Sequence, residues 1–118
     1  MIDIHHHLIY GVDDGSKDLE MSIGMAEVAI AEGVTHIACS PHSVDSYVYQ
    51  LETNLERMAE IQAAVAGRLE LLLACDFHLN ADNIQDAIKL YLRAVKKEEG
   101  VLVRNHKGSE LLTVSVNA

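Results

Sequence analysis

Apolar residues recur along the chain in two periods. Met1 to Ile4 is a short apolar alternation, the period of a strand. From Lys17 to Glu32, Leu19, Ile23, Ala26 and Ile30 fall at helical spacing, with Ser16 placed as N-cap and Gly33 as stop. Val34 to Cys39 predicts a second strand, which Pro41 breaks. A second helix is expected from Thr53, where Thr53 and Glu56 have capping-box spacing. Leu55, Met58, Ile61 and Val65 form its inner stripe and Gly67 ends it. Leu69 to Ala74 is almost wholly apolar and predicts a strand covered on both faces. A third helix is expected from about Ala81 to Lys97, capped by Asn80, with Ile84, Ile88, Leu92 and Val95 inward. Strands and helices alternating in this way predict an α/β fold with a parallel sheet and right-handed crossovers.

The last thirty residues follow another pattern. Val101 to Arg104 and Leu111 to Val116 flank Asn105-His106-Lys107-Gly108, which predicts a hairpin. Charge changes there as well. Residues 1–88 hold 15 acids and 3 bases, net −12, whereas residues 89–118 hold 3 acids and 6 bases, net +3. Two readings fit this shift: a segment of different origin, or a solvated helix end followed by an edge hairpin.

At 118 residues, with 49% hydrophobic and 23% charged positions, the chain fits one globular domain with a core of its own. The net charge of −9, from 9 basic and 18 acidic side chains, speaks against a general nucleic-acid binder and suits a protein that concentrates cations. Cys39 and Cys75 are too few for a disulfide scaffold or a thiolate zinc site, and both sit in apolar runs as reduced thiols. With no membrane-spanning apolar run and no secretory leader, the expectation is a soluble cytoplasmic protein without membrane insertion.

The candidate chemistry begins at His5-His6-His7. Three histidines with strand-like flanks are too few for an affinity tag. On a strand, His5 and His7 point the same way and can grip one metal while His6 faces elsewhere. Asp13 and Asp14 lie in the loop after the first strand, His42 follows the second, and Asp76 and His78 follow the third. In parallel α/β proteins these loops converge on one face, where sites are built. His36, inside the second strand, is read as structural, and His106, on the hairpin turn, as solvated. Imidazole and carboxylate without thiolate suit Mn²⁺, Fe or Zn²⁺. An open cluster of two or three such ions lowers the pKa of bound water and clamps phosphate oxygens, the requirements of phosphate-ester hydrolysis. No Cys-x5-Arg loop, G-x-S-x-G elbow, P-loop or G-x-G-x-x-G occurs.

The residues that carry this chemistry also carry a likeness. Met-Ile-Asp-Ile-His-x-His with Val12-Asp13-Asp14-Gly15, then Gly33 to His42, then Ala74-Cys75-Asp76-Phe77-His78-Leu79, resemble the PHP (polymerase and histidinol phosphatase) superfamily. Within it they are most similar to the bacterial manganese-dependent tyrosine-protein phosphatases of capsule and exopolysaccharide loci. The likeness covers about residues 1–88. It implies the N-terminal half of a distorted (βα)₇ barrel as a partial metal-binding domain, with residues 89–118 forming a helix end and a basic hairpin tail unlike the family. It further implies His5 and His7 as ligands, Asp14 and His42 serving a neighbouring ion, and Asp76 where the family commonly carries a bridging Glu. The implied cofactor is Mn (or Fe or Zn), two to three ions in the full family site. The implied activity is hydrolysis of phosphotyrosine in a protein partner, in control of polysaccharide synthesis. The family's later His-Pro-Glu-Arg and Asp-x-His motifs do not occur in this chain. Two alternatives therefore stand beside it, a truncated metal-binding relative without catalysis and another PHP phosphoesterase. Half a barrel leaves an open sheet edge, which a homo-oligomer or the hairpin would cover.

Overall fold

The computed structural model describes residues 1–78, together with 84–85, 88–89, 101–104 and 111–114. Strand β1 (Ile2–His6) leads into helix α1 (Leu19–Ala31), then strands β2 (His36–Cys39) and β3 (His42–Ser43). Helix α2 (Leu51–Val65) and a 3₁₀ turn (Ala66–Arg68) precede β4 (Glu70–Leu73) and β5 (Asp76–Phe77). Strands β6 (Val101–Arg104) and β7 (Leu111–Val114) pair antiparallel, Val101 opposite Val114. The tight turn predicted between them, with His106, lies outside the described residues.

The sheet is parallel with strand order β1-β2-β4. Beyond its carboxyl end a second, shorter parallel pair continues the same two chains, with β3 beside β5 and His42 opposite Asp76. Parallel strands separated by α1 and α2 are the α/β arrangement that the sequence predicts. Where apolar side chains fall on one face of β2 and β4, the helices cover them. Ile37, Cys39, Leu71 and Leu73 are buried against a core that includes Ile61, Val65 and Phe77. Full burial of side chains of this size contributes roughly 1.5–3 kcal/mol each.

Four local expectations are corrected. The N-cap of α1 is Asp18, whose Oδ1 accepts the Met21 N–H at 2.8 Å. Ser16 is instead buried, its hydroxyl engaged with Ser22 and the Asp18 carbonyl. Helix α2 starts at Leu51, two residues before the predicted capping box, and Thr53 Oγ1 donates to Gln50 Oε1 rather than capping. Strand β4 alternates exposed and buried, with Leu72 38% exposed, because helices cover only one of its faces. Ile84 and Ile88 are helical but 48% and 45% exposed, so they do not form an inward stripe.

Candidate metal centre

Strand β1 carries a register irregularity between Asp3 and His6. His5, within it, and His7, just after the strand, turn their Nε2 atoms to within 3.1 Å of each other. His6 takes the other direction and its backbone N–H donates to Ser40 Oγ at 3.0 Å. Burial holds the His6 imidazole below its usual range, with the neighbouring Asp3 carboxylate opposing. The period-2 reading of the three histidines thus describes the geometry.

The loop after β1 closes over His7. Its backbone carbonyl accepts the Ser16 N–H at 3.2 Å. A Cβ on Gly15 would stand 2.5 Å from both the His7 Cβ and the His7 carbonyl oxygen, so only glycine allows this approach. The closure places Asp13 inward with no side-chain exposure, while Asp14 is 65% exposed at the rim. Asp13 accepts from His7 Nδ1 at 2.9 Å, from the Gly15 N–H at 2.9 Å and from the His42 N–H at 3.0 Å. Burial alone would raise the Asp13 carboxyl, but those three donors together hold it below the ordinary value. The same hydrogen bond raises His7 against the opposing effect of burial. A carboxylate on Nδ1 fixes the ring and leaves Nε2 facing the cluster, the orienting role that ligand histidines require.

Asp76, 3% exposed at the start of β5, is the junction. Its Oδ2 lies 3.5 Å from His5 Nε2, 3.8 Å from His7 Nε2 and 3.2 Å from His42 Nδ1. Its Oδ1 lies 3.8 Å from His78 Nε2. His42 Nε2 in turn faces Asp14 Oδ1 at 3.2 Å. Asp76 Oδ1 and His42 Nδ1 are buried with no well-directed hydrogen-bond partner among the described residues. An orphaned buried carboxylate oxygen is costly in a folded protein and calls for a counter-charge.

These separations test the fit of a divalent ion. Donors sharing one ion at about 2.1 Å stand about 3–4.2 Å apart. Three groups of side chains bring ligand atoms within 4.8 Å of one another: His7, Asp13, Asp14 and His42; His5, His7 and Asp76; and His42, Asp76 and His78. In the second group the separations of 3.1, 3.5 and 3.8 Å fall inside the range for one shared ion. His7, His42 and Asp76 each recur, so the groups form one connected cluster. All five residues named from sequence as ligands, His5, His7, Asp14, His42 and Asp76, come together here. Sequence reasoning left Asp13 and His78 outside its ligand set. For His78 a signal existed: it stands two residues after Asp76, the spacing that already joined His5 to His7. His36 is remote from the cluster and pairs across the sheet with Glu70 at 3.1 Å.

The sequence model of the family described as "Capsular polysaccharide synthesis, CpsB/CapC" matches residues 1–117. The chain belongs to this family. Among CpsB/CapC relatives, the tyrosine-protein phosphatase CpsB of Streptococcus agalactiae is 45% identical over 42 residues, covering 36% of this chain and 17% of that protein. The tyrosine-protein phosphatase YwqE of Bacillus subtilis is 40% identical over 62 residues, covering 52% of this chain and 24% of its own length. A solved structure from work on YwqE and on CpsB of Streptococcus pneumoniae, described as unique metal-dependent tyrosine phosphatases, superposes with a TM-score of 0.60 at 28% identity. That match covers 75% of this chain and 38% of the solved one. The chain thus spans well under half the length of the relatives it matches.

Proposed function

We propose that the cluster is a centre for divalent metal ions that hydrolyses phosphotyrosine in protein substrates, in the control of polysaccharide synthesis. The observation that carries this reading is Asp76, a buried carboxylate with an orphaned oxygen, surrounded by the imidazoles of His5, His7, His42 and His78. Four imidazoles around one buried carboxylate make sense when cations complete the set.

His5, His7 and Asp76 would hold one ion, Asp14 and His42 a neighbouring one, and Asp76 would bridge them; Mn²⁺, Fe or Zn²⁺ suits these donors. Bound there, such ions supply positive charge for phosphoryl oxygens and make water more acidic. The chain's own residues do the rest. Asp13 keeps His7 in one tautomer and orientation. The closed loop at Gly15 keeps that pair from relaxing. His78, partly exposed at the rim, would pass a proton to a leaving phenolate. In this reading residues 1–88 are part of a PHP-type barrel and residues 89–118 are a helix end and basic hairpin tail, with the family match running on through that tail to residue 117.

The reading opposed to it is a metal-binding, self-associating relative without turnover. Phosphate release from a phosphotyrosine peptide, before and after manganese loading and again after chelation, separates the two. Metal-dependent, chelator-sensitive release supports the phosphatase. Full metal content with no release supports the second reading.

A further inference from the structure

Residues 1–88 contain three basic side chains, Lys17, Arg57 and Arg68, against 15 acids. Arg68 is engaged at the surface, donating to the two Glu27 oxygens at 2.6 and 2.9 Å. Arg57 is held differently. Its Nη1 donates to the Tyr10 carbonyl at 2.8 Å, and its guanidinium lies over the Tyr10 ring, 4.8 Å from the centroid. Among the described residues no carboxylate lies within ion-pair distance of it. Gly11, at φ +69°, makes room for this arrangement, since a Cβ there would stand 2.8 Å from Nη1.

Arg57 lines a cleft of about 340 Å³ with Gly11, Val12, Tyr47, Gln50 and Thr53, and is the one charged side chain among the described residues lining it. The cleft adjoins the metal centre. Val12 precedes Asp13, and the Tyr47 ring stacks on His42 with centroids 6.0 Å apart and planes 17° apart. The remaining walls are uncharged, with the apolar Val12 and Val48 among polar and aromatic neighbours.

We propose that this cleft is a subsite for the peptide flanking phosphotyrosine, and that Arg57 selects substrates with a carboxylate beside the phosphotyrosine. The inference rests on the phosphotyrosine reading of the centre, which sets where the phosphate sits. A guanidinium fixed by a backbone carbonyl and a ring loses little freedom on meeting a carboxylate, and its planar fork keeps further N–H donors for one. The surrounding region carries a net charge of −12, so an acidic peptide is otherwise repelled. One oriented cation then decides between acidic and neutral flanks.

The test uses manganese-loaded full chain and peptides whose phosphotyrosine is replaced by phosphonomethyl-phenylalanine, which resists hydrolysis. Anisotropy is read for Glu-flanked and Gln-flanked peptides, and for a Glu-flanked peptide with plain Phe. The wild type is expected to bind the Glu-flanked phosphonate roughly 3–10-fold tighter than the Gln-flanked one. Arg57→Gln should erase that preference and Arg57→Lys should keep part of it, with circular dichroism confirming that both variants are folded. Equal binding of the two phosphonates by the wild type, or a preference that survives Arg57→Gln, overturns the inference while leaving the centre intact. Plain Phe binding as tightly as the phosphonate overturns the phosphotyrosine reading itself. No binding of any peptide overturns both.

Discussion

Histidine meets carboxylate at both ends of the parallel sheet, with opposite consequences. At the amino end, His36 and Glu70 sit 3.1 Å apart across β2 and β4, 40% and 65% exposed, and Thr35 Oγ1 takes the other ring nitrogen at 2.8 Å. Each group there has a partner and water can reach both. At the carboxyl end, Asp76 is 3% exposed and four imidazoles crowd it, yet one of its oxygens and a ring nitrogen of His42 have no well-directed bond among the described residues. Distances in the two places are similar. Burial and partner count separate a surface ion pair, worth little, from the cluster proposed to hold cations.

That contrast can be broken most severely at Asp76. Asp76→Asn should abolish metal binding and yet raise the stability of the metal-free chain by about 1 kcal/mol, because a buried charge without full compensation is removed. Metal titration followed by thermal melts reads both effects, and a less stable metal-free variant would mean that Asp76 is a satisfied structural group. Asp13→Asn should weaken metal affinity roughly 10–100-fold while leaving stoichiometry at saturation unchanged. Unaltered affinity there would remove Asp13 from its orienting role. Gly15→Ala should cost about 1–3 kcal/mol on denaturant unfolding, since its Cβ would meet both His7 atoms at 2.5 Å. His36→Ala should change stability by less than about 1 kcal/mol and metal content not at all. Any loss of metal in that variant would erase the distinction between the two ends.

The smallest effect expected concerns Cys39. Burial pushes its thiol up to about 12, with the Asp3 charge adding to the rise. An unfolded thiol ionises near about 8.5, so this group does not affect stability below that pH and lowers it as pH climbs toward 12. Alkylation of Cys39 at pH 8 should accordingly track unfolding, and rapid labelling of the native chain would contradict its burial.

Much of this architecture is legible in the amino-acid order because the apolar periods are clean. Leu19 to Ile30 and Leu55 to Val65 mark α1 and α2, and His5, His42 and Asp76 each fall where a strand ends. Helix starts are less legible because side chains compete for the same role. Ser16 has capping chemistry but is drawn into the core by Ser22, whose own hydroxyl donates to the Leu8 carbonyl, which leaves the cap to Asp18. Asp13 and Asp14 are identical in type and adjacent. Which of them turns inward depends on how the loop folds at Gly15, and no local pattern encodes that. The exposed face of β4 was equally hidden, since apolar composition alone does not say whether one or two layers cover a strand.

His5, His7, Asp14, His42 and Asp76 are proposed to build one metal cluster. The decisive measurement is metal per chain, by elemental analysis of tag-free protein beside a His5→Ala/His7→Ala variant. Two or more ions per wild-type chain are expected, with loss of most of that metal in a variant that stays folded. A wild type that holds no metal, or a double variant that keeps its full content, would contradict it.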